Sequence, residues 1–200
     1  SKSLGNGIDP ADVIKEYGAD ILRLWVISAD YRTDVRISND ILKQLSEVYR
    51  KIRNTFRFVL GNINDFNPNT DAVAYDQLLE IDRWALVKLS RLVQKVLDAY
   101  RKHEYHIVYH SIHNFCVVEM SNFYLDVLKD RLYTSKQGSI ERKAAQTVMF
   151  EVLDALVRML TPVLAFTTEE VWKFMPHRTQ DNTGSVQLNL MPQVNENYLD

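Results

Sequence analysis

Ser1, Lys2 and Ser3 set an ammonium between two hydroxyls, and Gly5 and Gly7 follow closely. Backbone without Cβ atoms can approach phosphate oxygens, and a mobile lysine can answer their charge, so this run reads as a phosphate-holding loop. No strand or other phosphate-binding element stands in front of it. The expectation is that the ten residues SKSLGNGIDP are the torn edge of something larger.

Cations make the next pattern. Lys43, Arg50 and Arg57 recur every seven residues with Arg53 nearby, and Lys88, Arg91, Lys95 and Lys102 form a second series. On helices these spacings give two bands turned away from the apolar seams, suited to a row of phosphates or to plain solvation. LKDRLY adds Lys129 and Arg131 around Asp130; an ion pair within the chain accounts for these two as well as an external anion does. His103, His106, His110 and His113 share one helical strip, and imidazoles four apart can hold zinc. The strip runs on into Val117, Met120 and Tyr124, which marks a packing seam, and no metal is assigned. Trp25, Trp84 and Trp172 could stack bases, but their helical spacing favours the core, with Trp84 beside Arg83 the one to watch.

The elements that must position these side chains read as helical throughout. Asp9 and Pro10 start a helix that Gly18 stops, and ADILRLWVIS makes a second short one. Ser38 caps a long helix whose apolar residues run from Ile41 to Val59, ended by Gly61. Helical period returns from Ile81 to His103, breaks, and resumes as one long helix to Tyr133. Ser139 caps a further helix that Pro162 kinks or ends; Thr167 and Glu170, at capping-box spacing, start a short last one. SVQLNLMPQV alternates polar and apolar residues and is expected to run extended over the bundle. The fold class is therefore all-α, an antiparallel helix bundle with a small helical connector in front. Its divisions are 1–37 for the loop and connector, 38–177 for the bundle and 178–200 for the extended segment.

Composition agrees with a globular chain: 46% hydrophobic, 25% charged, and a net charge of −2 that excludes a global positive field. Any anion must be met by local clusters. No apolar run is long enough to span a membrane, and no charged-then-apolar leader opens the chain. The single cysteine, Cys116, suits a reducing compartment, so the cytoplasm is expected, and a monomer.

Four stretches in one order carry a resemblance. SKSLGN resembles the tail of the Lys-Met-Ser-Lys-Ser signature of class I aminoacyl-tRNA synthetases, and DPADVIKEYGADILRLWVISADYRTDVRIS resembles the join between catalytic and helical domains in the isoleucyl enzymes. SNFYLDVLKDRLY and LTPVLAFTTEEVW are similar to that family's helical anticodon-binding domain. The resemblance implies an intact enzyme that activates isoleucine with ATP and Mg²⁺ and acylates an isoleucine-accepting tRNA. It implies that Ser1, Lys2 and Ser3 bind ATP, with Lys2 the catalytic lysine meeting the phosphates in the transition state. It further implies that the chain itself performs neither reaction and instead holds the anticodon stem and loop. Lys43, Arg50, Arg53, Arg57, Lys88, Arg91, Lys95, Lys129 and Arg131 are the residues expected to contact tRNA. A valyl or leucyl enzyme is the alternative within the family, and a helical protein-interaction module the alternative outside it.

Overall fold

A computed structural model describes residues 7–198. Helix α1 (Pro10–Tyr17) starts as read, with the Ala11 N–H donating to Asp9 Oδ1 at 2.8 Å and Pro10 in the first turn. It ends at Gly18, whose φ of 89° is left-handed backbone that favours glycine. Helix α2 (Ala19–Ser28) follows at once. Helix α3 (Asn39–Asn62) is capped by Ser38, which accepts from the Ile41 N–H at 3.2 Å. Gly61 lies inside α3 rather than ending it; an exposed glycine in the last turn weakens a helix without breaking it.

Helix α4 (Glu80–Arg101) ends where the sequence breaks, at His103, whose φ of 58° reverses the chain. The long helix expected beyond it is three pieces: α5 (Tyr105–Asn114), a π-helical segment (Phe115–Tyr124) and α6 (Leu125–Thr134). The wider turns of the π segment keep Phe115, Cys116, Met120 and Tyr124 all in the core. Ser139 caps α7 (Ile140–Leu160), and α8 (Ala165–Phe174) closes the helical part.

Helices α3, α4, α5–π–α6 and α7 run alternately up and down. At one end Gln146 of α7 reaches the Asn62 carbonyl of α3 at 2.9 Å, and Arg131 of α6 reaches Asp82 of α4. At the other, the Tyr100 hydroxyl of α4 donates to the Met159 carbonyl of α7 at 2.8 Å. Helix α7 is apolar nearly all round and is the central post, with Val148, Leu153, Leu156 and Val157 inaccessible to solvent. Every other long helix turns only one face inward, which is why the cation bands of α3 and α4 stay outside.

The tail differs from the extended run expected of it. Residues Val186–Leu188 make one turn of 3₁₀-helix and Glu196–Tyr198 another, and of the alternating apolar residues only Val186 is buried. Polar contacts hold this segment down. Arg158 of α7 pairs with Asp154 at 2.9 Å and Asp181 at 2.7 Å, while Arg178 pairs with Asp154 at 2.8 Å and Glu151 at 2.7 Å. Trp172 of α8 is fully buried beneath it and donates its indole N–H to the Asn182 carbonyl at 3.1 Å.

Candidate nucleic-acid interface

Helix α3 presents Lys43, Arg50, Arg53 and Arg57 to solvent, opposite a buried face of Leu45, Ile52, Phe56 and Val59. Arg50, Arg53 and Arg57 line a groove of about 400 Å³ between α3 and α8, with Asn54, Glu170 and Phe174. Lys43 lies on the same helix outside this groove. Arg50 is paired with Glu47 on its own helix, whereas Arg53 and Arg57 have no ion-pair partner among the described residues. An arginine pair with no internal partner, beside a single carboxylate, leaves this groove a local excess of positive charge.

Helix α4 carries the second band. Lys88, Arg91 and Lys95 line a groove of about 450 Å³ with His110, Ser111 and Asn114 of α5. Lys88 pairs with Glu119 of the π segment at 3.2 Å and lies 5.4 Å from the Trp84 ring centroid, and Trp84 packs edge-on against Phe123 at 4.9 Å. Arg91 and Lys95 are exposed at the groove edge. The two grooves share no lining residue, so the structure brings each band to its own site and does not merge them.

Lys129 and Arg131 part company. Lys129 is exposed and paired with Asp126 at 2.7 Å. The Arg131 guanidinium turns inward and grips Asp82 with both ends, Nη1 to Oδ2 at 2.8 Å and Nη2 to Oδ1 at 2.5 Å. The Tyr124 hydroxyl donates to Asp82 Oδ1 at 2.7 Å. Of the two explanations left open for Arg131, the ion pair within the chain is the one found. Burial would lower the Arg131 pKa, but the Asp82 carboxylate outweighs it and holds the value above the ordinary one. Burial, reinforced by the Asp82 charge, pushes the Tyr124 hydroxyl well above its usual range.

The histidine strip spans the α4–α5 turn and α5. His113 lies against Tyr109 with ring centroids 6.1 Å apart, and His110 against the same ring at 4.8 Å. Burial lowers the pKa of both, helped by Lys51 at His113 and by His106 at His110. Ser1, Lys2 and Ser3 lie outside the described residues.

Sequence reasoning passed over Asp20. It reads as an ordinary acidic residue in the first turn of α2, yet its carboxylate accepts from the Thr167 N–H at 2.8 Å, the Thr167 hydroxyl at 2.6 Å and the Phe166 N–H at 3.4 Å. Thr167 is therefore not the cap of α8, as its spacing from Glu170 suggested. The helix starts at Ala165 with no cap from its own sequence, and the carboxylate arrives from α2. No local signal could have shown this, because the partners stand 147 positions apart.

Known proteins place these features in a family. The family described as "Anticodon-binding domain of tRNA ligase" matches residues 82–200, and "tRNA synthetases class I (I, L, M and V)" matches residues 1–38. The chain is 62% identical over 200 residues to the isoleucine–tRNA ligase of Desulforamulus reducens and 60% identical over 198 residues to that of Thermoanaerobacter sp.. It covers 100% and 99% of itself in these matches but spans only 21% of each relative's length. The fold is shared with the agnB2 LeuRS of Agrobacterium radiobacter K84, solved as a ternary complex with tRNA and LeuAMS. That likeness has a TM-score of 0.68 at 18% identity and covers 100% of this chain and 23% of that one. The chain, homologous throughout its length to isoleucine–tRNA ligases, belongs to the anticodon-binding domain family of tRNA ligases.

Proposed function

We propose that this chain is the tRNA-holding part of an isoleucyl-tRNA synthetase and grips the anticodon stem and loop through phosphates. The observation that carries the reading is the α3–α8 groove, where Arg53 and Arg57 stand without ion-pair partners among the described residues beside Arg50. Phosphate contacts fix register and orientation without reading bases, which suits a domain whose task is to present the acceptor end elsewhere. Lys43 extends the same band, and Lys88, Arg91 and Lys95 make a second set of contacts. Lys129 is kept as a peripheral contact, and Arg131 serves the fold.

Each phosphate neutralised releases condensed counterion, so affinity falls steeply with salt. Binding of an isoleucine-accepting tRNA transcript, followed by fluorescence anisotropy across a salt series, tests this. The double substitution Arg53→Ala with Arg57→Ala is expected to weaken binding and to flatten the slope of log K against log salt by about 2. An unchanged slope would remove this face from the interface.

The remaining parts of the reading concern the longer protein. Residues 1–37 join the catalytic domain to the bundle of 38–177, and 178–200 covers it. Lys2, between Ser1 and Ser3, meets the ATP phosphates as the adenylate forms, with Mg²⁺ as the accompanying cation. The reaction joins isoleucine to its tRNA in the cytoplasm, where the lone thiol of Cys116 stays reduced.

A further inference from the structure

The α8 wall of the arginine groove is held from outside the bundle. Helix α8 has no side-chain cap of its own, and its first turn would leave the Phe166 and Thr167 N–H groups without acceptors. Asp20, 7% exposed, supplies its carboxylate to both and also accepts from the Thr167 hydroxyl. Three residues along α2, Arg23 donates from Nε to the Val163 carbonyl at 2.9 Å and from Nη2 to the Pro162 carbonyl at 2.5 Å. An acid at the start of α8 and a base on the carbonyls just past α7 together fix the corner between the two helices, each charge matching the helix end it meets. Thr167 carries the contact onward: its hydroxyl is 2.9 Å from the Tyr49 hydroxyl of α3, and Thr167 itself lines the arginine groove. One chain of polar contacts, buried at Asp20 and half-buried at Tyr49, thus joins α2, α8 and α3 beside the groove.

We infer that Asp20 is a positioning residue that sets the separation of α8 from α3, and so the fit of the arginine groove to its anion, from the connector. The inference rests on the tRNA-holding reading for its consequence and not for its geometry. Asp20→Asn keeps the side chain's size while removing the charge and leaving one oxygen where two accepted, so the Phe166 N–H and the Thr167 donors compete for it. Arg50, Arg53 and Arg57 are left in place, so the number of phosphates met is unchanged and only the geometry shifts.

Two measurements on the 200-residue chain test it. Spin labels at Lys51→Cys on α3 and Lys173→Cys on α8, with Cys116 wholly buried and unlabelled, report the α3–α8 distance by pulsed electron resonance. The Asp20→Asn variant is expected to widen or shift that distribution. It is also expected to weaken tRNA binding about tenfold with the salt slope of the parent, because ion pairing is unaltered in number. Thr167→Val, which removes the shared hydroxyl at nearly constant volume, should move both readouts in the same direction. A distance distribution identical to the parent's would overturn the inference whatever the tRNA result. A shifted distance with unchanged affinity would overturn the role in the groove. If the parent chain shows no salt-dependent tRNA binding, the functional reading fails, and the distance measurement alone still decides the positioning.

Discussion

Asp82 shows how a single residue can settle two neighbours' roles. It is wholly buried, and its two oxygens are taken by Arg131 and Tyr124, so the LKDRLY motif is anchored through its arginine while its lysine stays outside. The sequence offered Arg131 as either a tRNA contact or half of an ion pair, since a cation near a helix end fits both. Nothing local identifies Asp82 as the partner, 49 residues away. Replacing Asp82 by alanine strands the guanidinium inside the fold. The expected cost is about 3 kcal/mol in the unfolding free energy, read from urea titrations. Lys129→Ala should leave the urea midpoint where it was, because its pair with Asp126 is exposed.

At the scale of elements, helix existence was written in the caps and periods, while helix kind and partnership were not. Asp9, Ser38 and Ser139 all cap as their spacing predicts. The π segment was invisible because its residues are the same apolar types an α-helix would bury, and only their fit against α3 and α4 distinguishes the two. The histidine strip, expected as a packing seam, is one only in part: His103 and His110 are exposed, His106 and His113 are half-buried, and the buried face of α5 is Val108 and Ile112. The strip nonetheless gives α5 a pH response. His110 and His113 sit below the ordinary value of 6.5, so the folded chain resists protons that the unfolded chain accepts. Stability should therefore fall as pH drops below about 6.5 and level off once the folded histidines also protonate. Urea titrations at stepped pH check this, and His113→Gln should shrink the drop.

For the whole molecule, the decisive fact is that the chain spans 21% of its relatives' length, so the proposed reading gives its grooves a tRNA that another part of a longer protein processes. In the full-length protein, isoleucine rather than valine or leucine is expected to drive ATP–pyrophosphate exchange. Lys2→Ala should slow that exchange about 100-fold, a typical loss for one transition-state donor, while leaving tRNA affinity unchanged. Exchange at the parental rate would remove Lys2 from the ATP site. By itself the sequence determined the all-α class, the connector, most helix limits and the two cation bands, because capping chemistry and apolar period act over three or four residues. Only the tertiary structure decided which cations face a groove, which one is spent on Asp82, and that α2 caps α8. Those outcomes depend on residues far apart in the chain being brought within hydrogen-bond reach, and no short spacing records that.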